Sequence, residues 1–439
     1  MMERYSEYKE SGVKWLGEIP SHWEVVRLKN AFLKRISGSW GEEPNRSQRN
    51  TICLRIADFE YNRLRFQRKE EYTVRSYTIN ELDEKKLRNG DLLIEKSGGG
   101  EKTPVGRCVV YDLEMQDIMY ANFMEKLSPR EFVNSYYMCY LLSCLYNQGM
   151  IWPYVKATTG IQNLDINSLL AKEYVFLPPK SEQDAIVRYL DTATSEIDKA
   201  IAMQQKMIDL LNERKQIIIQ NAVTKGLDEN VEMKESGVEW IGRIPKHWEV
   251  RRGKFLFRVV NEYSTTGQEE LLTVSDRTGI TPRSMKNVNM FMSESLIGYK
   301  KCQKGDICSN IMWMWHGAVG VTKYNGVISP SYGVYRQIAV NYDNKYLDYM
   351  LRLPRLVDVY GICSTGLTES RLRLYPDDFM NIQFFIPPVE EQKSIVLQIQ
   401  KQITDIEKSI RNAENLITLL QERKQIIINE VVTGKVRVS

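Results

Sequence analysis

The chain has 439 residues, 43% of them hydrophobic and 26% charged, with a formal net charge of +4. This length allows two or three domains, each with its own core, and the composition is typical of soluble globular proteins. Seven cysteines without C-x-x-C spacing argue against a disulfide framework or a cysteine zinc site, and they favour a reducing, cytoplasmic location.

The N-terminus and the most apolar segment give no sign of a membrane protein. The stretch MMERYSEYKES lacks the apolar core and cleavage site of a signal peptide. Residues 132–155 carry no charge, but Asn134, Asn147, Gln148, Gly149 and Pro153 interrupt them. We therefore predict a buried helix followed by a turn, and no contact with a membrane.

Several motifs occur twice along the chain. Residues 8–25 and 233–250 are identical at 13 of 18 positions and share W-x-G-x-I-P-x-H-W-E-V. LPPKSEQ (177–183) matches IPPVEEQ (386–392), and LLNERKQIIIQNAVT (210–224) matches LLQERKQIIINEVVT (419–433), both 209 residues apart. The segment between the opening motif and the double proline differs in length and sequence between the two halves, whereas the segment from the double proline to the final Val-Thr has the same length in both. We expect the constant blocks to serve one shared partner or one fixed geometry, and the variable blocks to bind two different ligands.

Each constant block is predicted to form one long helix. The double prolines at 178–179 and 387–388 favour a helix start, Gly226 and Gly434 favour its end, and apolar residues recur at helical spacing between them. The helix length would be about 45 residues, so a single domain cannot cover the apolar stripe and the two helices should pack antiparallel. A dimerisation coiled coil would explain the stripe alone, but the equal length of both copies favours a spacer.

The predicted fold is α+β, with two α/β domains separated by two long antiparallel helices and related by a pseudo-twofold axis. The predicted segments are variable domain 1 (1–179), helix 1 (180–226), variable domain 2 (227–388) and helix 2 (389–435). Short β-rich runs broken by glycines, such as GDLLIEKSGGG and GDICSNIMWMWHGAVGVTKY, indicate curled antiparallel sheets with long polar loops in the variable domains.

Loops of the variable domains mix basic residues with Asn, Gln, Ser and Thr, which suits contacts to phosphates and base edges. For any single residue the alternative is an ordinary exposed side chain or a packed aromatic ring. The candidates for DNA binding are Lys96, Ser97, Lys102, Arg107, Lys156, Thr158, Thr159, Gln162, Asn163, Arg277, Arg283, Asn310, Trp313, Trp315, His316, Lys323, Ser364, Thr365 and Thr368.

The sequence lacks the common catalytic motifs. It has no P-loop, no G-x-S-x-G, no H-E-x-x-H, no dinucleotide fingerprint and no Asn-Pro-Pro-aromatic motif of an amino-methyltransferase. His22 and His247 occupy the same place in the repeat, but no cysteine, serine or carboxylate recurs at the same distance from them. We expect both histidines to be structural, and the chain to be a binding protein without catalytic or metal-binding residues.

The opening motif, the TTG or STG turn, the PP-x-x-EQ junction and the long helix occur twice in the same order. In this arrangement the chain resembles, over essentially its whole length, the specificity (S) subunits of type I restriction-modification systems. The resemblance implies that each variable block is a target recognition domain for one half of an asymmetric bipartite site in double-stranded DNA. It also implies that the helices set the spacer and dock two methyltransferase (M) subunits, joined by two restriction (R) subunits where the system includes them.

The resemblance also assigns the cofactors to the partner subunits: S-adenosylmethionine, ATP and Mg are expected there and none in this chain. The candidates for M-subunit contacts are exposed positions of the repeated helix ends, although these could equally form a solvated coiled-coil face. They are Glu213, Arg214, Gln216, Glu422, Arg423 and Gln425. Two other hypotheses stay open, namely a DNA methyltransferase or nuclease in its own right and a coiled-coil adaptor without DNA specificity.

Overall fold

The computed structural model describes residues 3–438, except residues 14, 16, 101–102, 159, 287–294 and 369–370. The chain forms two compact units. Unit 1 consists of Met1–Gln204 and Asn415–Ser439, and unit 2 consists of Gln205–Glu414. These units divide the chain differently from the four predicted segments, because each unit contains one variable block and parts of both long helices.

Unit 1 contains many short strands and three short helices among its described residues. In chain order these are β1 (Tyr8–Glu10), β2 (Glu18–Pro20), β3 (Glu24–Arg27), β4 (Phe32–Ser37), β5 (Arg49–Leu54), β6 (Phe59–Glu60), β7 (Arg65–Phe66), β8 (Val74–Tyr77), α1 (Ile79–Lys85), β9 (Leu92–Glu95), β10 (Ser97–Gly98), β11 (Cys108–Val110), β12 (Met119–Tyr120), β13 (Met124–Pro129), α2 (Ser135–Asn147), β14 (Val155–Thr158), β15 (Ile161–Leu164), α3 (Ile166–Lys172) and β16 (Tyr174–Leu177).

The largest sheet of unit 1 has the strand order β4-β13-β9-β11-β7-β6. Smaller sheets have the orders β12-β5-β8 and β10-β15-β14. The described strand pairs are antiparallel, as predicted, except that β11 pairs with β7 and β12 pairs with β5 in parallel. Helix α2 is the predicted buried helix: Asn134 caps it, and Tyr137, Leu141 and Leu145 are fully buried in the main core.

Unit 2 repeats this plan with different strands, which follow the first long helix in the chain. In chain order the elements are α4 (Lys180–Lys225), β17 (Met233–Glu235), β18 (Arg243–Pro245), β19 (Glu249–Arg252), β20 (Phe257–Val259), β21 (Leu272–Ser275), β22 (Gly279–Pro282), β23 (Lys300–Cys302), β24 (Ile307–Ser309), β25 (Val319–Val321), β26 (Gly326–Ile328), β27 (Gly333–Gln337), α5 (Asn344–Leu351), α6 (Pro354–Ile362), α7 (Pro376–Asn381), β28 (Gln383–Ile386) and α8 (Val389–Val432).

The main sheet of unit 2 has the order β20-β27-β24-β25, and its strand pairs are antiparallel. The hairpin β24–β25 corresponds to β9–β11 of unit 1, since each follows a Gly-Asp turn and pairs with the strand that leads to the next helix. The mixed α+β fold and its internal repeat are therefore confirmed.

The long helices α4 and α8 have 46 and 44 residues, in agreement with the predicted length. Gly226 and Gly434 follow their ends with φ angles of 77° and 71°, the left-handed conformation that terminates helices. In unit 1 the start of α4 shares a core with the end of α8, through Ile186 and Val431. In unit 2 the end of α4 shares a core with the start of α8, through Val223 and Ile399. Within each unit the two helix segments are thus antiparallel.

The same ion pair joins the two helices in each unit. In unit 1, Lys424 Nζ lies 2.7 Å from Asp198 Oδ1. In unit 2, Lys215 Nζ lies 2.6 Å from Glu407 Oε1. The two lysines are 209 residues apart, as are the two acids, so the repeat preserves this contact as well as the helix length.

A buried glutamine joins each variable domain to its helix. Gln183 Oε1 accepts a hydrogen bond from the Asn134 backbone N–H at 2.7 Å, and its Nε2 donates to the carbonyl oxygens of Phe132 and Pro178. Gln392 makes the same three contacts in unit 2, with the Asp343 N–H and two carbonyl oxygens. Asn134 and Asp343 are the N-caps of α2 and α5, so the Glu-Gln junction positions a domain helix in both units.

The preceding glutamate binds the opening motif. Glu182 accepts hydrogen bonds from His22 Nε2 at 2.8 Å and Trp23 Nε1 at 3.2 Å. In unit 2, Glu391 accepts the equivalent bonds from His247 and Trp248. Both histidines thus have a carboxylate partner at the same place in the repeat. The sequence did not reveal this partner, because His22 and Glu182 are 160 residues apart whereas His247 and Glu391 are 144 residues apart.

Each tryptophan is fully buried and stacked on a phenylalanine, Phe176 in unit 1 and Phe385 in unit 2. These histidine–glutamate contacts therefore belong to a packed junction between the opening motif and the long helix.

Among the described residues, no three or more His, Cys, Asp and Glu side chains form a group that could hold a metal ion. In the part of the chain that the structure describes, no helix is long and apolar enough to cross a membrane. The seven cysteines are free thiols, and six of them are buried.

Candidate nucleic-acid interface and partner surface

Two loops of unit 1 meet at one end of its main sheet, and we call their described residues the first loop cluster (residues 96–100, 103–105, 156–158 and 160–164). Strand β10 in the first loop pairs with β15 in the second, with Ser97 opposite Asn163 and Gly98 opposite Gln162. Because β15 also pairs with β14, the glycine-rich loop and the polar turn form one three-stranded sheet. The structure thus brings together candidate residues that are about 60 positions apart in the chain.

Side chains of the polar turn hold the glycine-rich loop in place. Gln162 Oε1 accepts a hydrogen bond from the Val105 N–H at 3.2 Å, and its Nε2 donates to the Gly100 carbonyl oxygen at 3.2 Å. Ser97 Oγ donates to Asn163 Oδ1 at 2.6 Å. Gly99 has a φ of 67°, and a Cβ there would overlap Gln162, so the tight loop requires glycine. Gln162 and Asn163 therefore shape the loop in addition to any contact with DNA.

Two of the basic candidates in unit 1, Lys156 and Lys96, have different surroundings. Lys156 is 71% exposed and pairs with Asp165 at 3.0 Å. Lys96 Nζ is half-exposed and donates to Ser37 Oγ at 2.7 Å. Lys102 and Thr159 lie outside the described residues, as does the side chain of Thr158. Lys156 and Lys96 are placed where a phosphate could replace or join their present partners.

Arg107 has a structural role in unit 1. It makes two hydrogen bonds to the buried carboxylate of Glu95, at 3.1 and 2.7 Å, and its guanidinium lies 3.7 Å from the ring centre of Tyr61. Tyr61 also donates to Glu95 at 2.5 Å. Burial opposes the charged form, but the hydrogen bonds that Arg107 donates to Glu95, and the negative charge of Glu95, still raise the pKa of Arg107. Neutralising Arg107 would leave Glu95 as an unpaired buried charge, so it is an unsuitable probe of DNA binding.

The corresponding end of unit 2 carries the second loop cluster (described residues 310–317, 361–368 and 371–374). Its two loops are joined by the Leu374 N–H, which donates to the Ile311 carbonyl oxygen at 3.0 Å. In unit 1 the Leu164 N–H donates to the Lys96 carbonyl oxygen at 2.8 Å in the same way. The two units thus assemble their loop clusters by the same backbone contact although the loop sequences differ.

The second loop cluster is aromatic where the first is polar. Trp313, Trp315 and His316 form a stack, with ring centres 6.1 Å apart between the tryptophans and 4.0 Å apart between Trp315 and His316. Trp313 is more than half-exposed, and the adjoining turn carries the fully exposed Leu367. Exposed aromatic rings can contact base edges, thymine methyl groups or the sugar backbone, so the two clusters are chemically different.

The other candidates of the second cluster have mixed surroundings. Asn310 is buried, and its Oδ1 accepts a hydrogen bond from the Met312 N–H at 3.2 Å. Ser364 Oγ donates to the Tyr360 carbonyl oxygen at 2.6 Å. Thr365 pairs with Arg373 through two backbone hydrogen bonds, and Thr368 is exposed. Asn310 and Ser364 thus support the loops, whereas Thr365 and Thr368 are on the surface.

Three candidates of unit 2 lie apart from this cluster. Arg277 is in the turn between β21 and β22, where its carbonyl oxygen accepts a bond from Arg352 at 3.0 Å, and Arg283 follows β22. Lys323 follows β25, at the end of the β24–β25 hairpin opposite the loop. It lines a cavity of about 310 Å³ together with Lys215, Lys304 and Lys345.

The candidate partner residues lie on the repeated helix ends. Glu213, Arg214, Gln216, Glu422 and Arg423 are exposed. Gln425 is exposed too, but its Oε1 accepts a hydrogen bond from Asn147 Nδ2 at 2.8 Å, which ties it to the variable domain of unit 1. The lysine of the same ERKQ motif was not selected from the sequence, although Lys215 and Lys424 make its most specific contacts.

Exposed apolar residues accompany these charged positions, and we call them the helix-end stripes. The stripe on α4 comprises Met207, Leu210 and Ile217, and the stripe on α8 comprises Leu416, Leu419 and Ile426. Each residue of one stripe is 209 positions from its counterpart in the other. Exposed large apolar side chains at helical spacing indicate a face that a partner covers.

The fold and these surfaces define a class of protein: an internally duplicated chain with constant helices and junctions and two dissimilar loop clusters.

The chain matches no protein-family model. It is 24% identical to the "Putative type I restriction enzyme MjaX specificity subunit" of Methanocaldococcus jannaschii, over 98% of each chain. It is 23% identical to the "Type I restriction enzyme MjaVIII specificity subunit" of the same organism, over 98% of this chain and 97% of the relative.

Solved structures show the same fold. A structure of a type I restriction-modification system, solved to explain its assembly and conformational transition, superposes with a TM-score of 0.68 at 13% identity, covering 94% of this chain and 98% of the other. The crystal structure of the HsdS subunit from Thermoanaerobacter tengcongensis superposes with a TM-score of 0.51 at 15% identity, covering 95% and 98%. The resemblance to type I specificity subunits predicted from the sequence is therefore confirmed.

Proposed function

We propose that the chain is the DNA specificity subunit of a type I restriction-modification complex and contributes recognition without catalysis. The recognition domain of each unit binds one half of an asymmetric bipartite site in double-stranded DNA. One observation carries the proposal: the units repeat the same helix, junction and backbone contacts but present different loop clusters at the equivalent end of the sheet. A repeated frame with dissimilar loops is what recognition of two different half-sites requires.

The chemistry of the two clusters supports different half-sites. The first offers Lys96, Lys156, Gln162 and Asn163, which suit phosphates and base edges. The second offers exposed Trp313 and His316 beside a threonine-rich turn. Because the two sets of side chains differ, the two half-sites should differ, and the complete site should not be palindromic.

The helix-end stripes support docking of two copies of one partner. Each stripe combines three exposed apolar residues with the exposed glutamate and arginine of the ERKQ motif, and both stripes have the same spacing. We assign the partner as the methyltransferase (M) subunit, with S-adenosylmethionine bound there. Where the system includes restriction (R) subunits, ATP and Mg would act on those, in a cytoplasmic complex. The long helices would then set the spacer between the half-sites.

The alternative of a coiled-coil adaptor without DNA specificity is disfavoured. The relatives that match nearly the full length of the chain are named specificity subunits of restriction enzymes.

The proposal is tested by sequencing native host DNA with a method that reports modified bases, with the gene intact and deleted. We expect N6-methyladenine at one interrupted, asymmetric motif to disappear on deletion. Exchange of the first variable block for that of a relative should then change one half of the motif and keep the other half and the spacer. Identical methylation patterns in the presence and absence of the gene, with the M subunit expressed, would refute the proposal.

A further inference from the structure

An open apolar cleft lies beside the first loop cluster in unit 1, and we call it the aromatic cleft. It has a volume of about 500 Å³ and is lined by Trp40, Arg55, Ile56, Ala57, Ala121, Asn122 and Phe123. None of these residues belongs to the set of DNA-binding candidates selected from the sequence.

Strand geometry explains why these residues meet. Strand β4 ends opposite the start of β13, and β9 ends there as well, since Ser37 pairs with Glu125 and Glu95 pairs with Met124. Strands β5 and β12 are parallel and end side by side, at Leu54 and Tyr120. The segments that follow β4, β5, β9 and β12 therefore leave the two sheets at one end. Trp40 and residues 55–57 and 121–123 line the cleft, and residues 96–100 and 103–105 belong to the first loop cluster.

Gly38 allows the closest of these approaches. Its N–H donates to the Met124 carbonyl oxygen at 3.1 Å. A Cβ at this position would overlap the carbonyl oxygens of Tyr120 and Ala121. The absence of a side chain thus lets the segment that carries Trp40 pack directly on the segment that carries Phe123.

The walls of the cleft are aromatic and half-exposed. Phe123 is 49% exposed and Trp40 is 37% exposed. Trp40 is held by Arg75, whose guanidinium lies 4.3 Å from its ring centre and forms an ion pair with Glu43. The alkyl groups of Ile56, Ala57 and Ala121 complete an apolar lining. Such a concave surface with fixed rings suits a flat aromatic ligand better than a flexible apolar chain.

Polar groups surround the opening of the cleft. Asn122 is exposed, and the Arg55 side chain is 44% exposed while its backbone N–H is held by Asp58 at 2.7 Å. An amide can hydrogen-bond with the edge of a base, and a guanidinium can bind a phosphate or a guanine edge. The combination of apolar walls, one amide and one cation matches the faces, edge and backbone of a nucleotide.

The cleft is continuous with the first loop cluster. The Phe123 carbonyl oxygen accepts hydrogen bonds from the backbone N–H groups of Lys96, at 2.8 Å, and Ser97, at 3.2 Å. A DNA segment that contacts Lys96 and Ser97 thus lies next to the Phe123 ring. This continuity selects a nucleobase, in preference to a protein side chain, as the ligand of the cleft.

We propose that the aromatic cleft binds one nucleobase of the half-site recognised by unit 1, with its face against Phe123 and Trp40 and its edge toward Asn122. The inference rests on the proposed function, because it requires that unit 1 binds DNA. It adds a specificity-determining contact outside the two loops that the sequence identified.

The test uses the full chain in complex with its M subunits and duplexes that contain the methylated motif. Each duplex lacks the base at one position of the motif. For the wild-type complex we expect removal of one base in the unit 1 half-site to weaken binding about tenfold or more, the usual effect of a lost stacking contact. Phe123→Ala should weaken binding of the intact duplex by a similar factor, and base removal at that position should then have no further effect.

Two further variants make the result specific. Phe123→Trp, which keeps an aromatic face, should retain binding and position dependence. Phe132→Ala removes an equally exposed aromatic ring of unit 1 that lies outside the cleft, and it should behave as wild type. Wild-type binding by Phe123→Ala to every duplex would overturn the inference and leave the proposed function intact. A loss of M-subunit assembly without any change in DNA preference would overturn it as well, since the cleft would then bind protein. A wild-type complex without preference for any duplex would overturn both proposals.

Discussion

Lys424 Nζ lies 2.7 and 2.8 Å from the two carboxylate oxygens of Asp198 and also donates to the Asn62 carbonyl oxygen at 2.9 Å. This one ammonium group thus joins the end of α8 to α4 and to the variable domain of unit 1. Its counterpart Lys215 binds Glu407 at 2.6 Å in unit 2. The third residue of the ERKQ motif is therefore a structural link, and its neighbours on the exposed face are left for a partner.

Removal of this lysine should cost more in unit 1 than in unit 2. Lys424 is 7% exposed, so Lys424→Met leaves Asp198 and a carbonyl oxygen without their partner, and we expect a loss of about 2–3 kcal/mol. Lys215 and Glu407 are more exposed, and Lys215→Met should cost about 1 kcal/mol or less. Urea unfolding of both variants measures the difference. Equal losses would show that burial does not determine the strength of this contact.

The buried glutamine of the junction should be intolerant of apolar replacement. Gln183→Leu preserves the size of the side chain but leaves the Asn134 N–H and two carbonyl oxygens without a partner. We expect a loss of about 2–4 kcal/mol in the free energy of unfolding. Gln392→Leu in unit 2 should give a similar loss, and thermal unfolding of each variant checks this. An unchanged free energy of unfolding in either unit would mean that water takes over the hydrogen bonds of the glutamine side chain there.

Lys156 and Arg107 should separate DNA binding from stability. Lys156→Gln should lower the unfolding temperature only slightly, because its ion pair with Asp165 is exposed, and it should weaken binding of duplex DNA and reduce the slope of log affinity against log salt by about 1. Arg107→Gln should lower stability by about 3 kcal/mol, because Glu95 is 2% exposed and loses its partner. Fluorescence titrations at several salt concentrations, with unfolding curves as the control, distinguish the two. Unchanged DNA affinity in Lys156→Gln would remove this residue from the interface.

The helix-end stripes should determine how many M subunits bind. Ile217→Glu and Ile426→Glu place a charge on one stripe each, at half-exposed positions where stability should change by less than about 0.5 kcal/mol. Each single variant should bind one M subunit and the double variant none, as measured by the mass of the complex.

A matched control for the stripes is Leu397→Glu. Leu397 is an exposed apolar residue of α8 whose counterpart 209 positions earlier is Arg188, so it belongs to neither stripe. This variant should bind two M subunits. If it lost an M subunit as readily as Ile217→Glu, the docking surface would extend beyond the stripes.

The N-cap of α3 should make the first loop cluster sensitive to acid. The Ser168 N–H, followed by Lys156, lowers the pKa of Asp165 from its ordinary value of 3.8 to about 2. A carboxyl group with a lowered pKa in the folded state stabilises that state above its ordinary pKa, and this contribution is lost as the pH falls toward 2. The difference in melting temperature between wild type and Asp165→Ala should therefore shrink between pH 5 and pH 2. A difference independent of pH would show that the Asp165 charge contributes nothing.

Local sequence patterns predicted the two long helices well. Double prolines, apolar spacing and terminal glycines predicted two helices of about 45 residues, and α4 and α8 have 46 and 44. Because these signals are local in the sequence, tertiary packing did not change the helices that they predict. The charge-free segment that became α2 was likewise recognisable, because polar residues and a proline limit its length.

Contacts across long separations could not be predicted. The Glu182–His22 and Lys424–Asp198 pairs join residues 160 and 226 positions apart, and no local pattern marks them. Repetition was the available signal, since Glu182 and Lys424 both lie in repeated motifs. Arg107 shows the converse problem, because a basic residue near a glycine loop looks the same in sequence whether it is exposed or paired with a buried glutamate. The aromatic cleft was missed because its three segments converge only through strand pairing.

The division of the long helices between the units determines which unit is complete first during synthesis of the chain. Unit 1 needs residues 415–439, whereas unit 2 is the continuous stretch 205–414. The last residues complete unit 1 closely: Gly434 is packed so tightly against Pro20 and Trp23 that a Cβ would overlap them, and its carbonyl oxygen accepts a bond from Tyr8. A growing chain therefore contains all residues of unit 2 before it contains all residues of unit 1. The core of unit 1 that contains Ile186 is completed by Val431, 245 residues later in the chain, so part of this core stays exposed on the nascent chain while unit 2 is made.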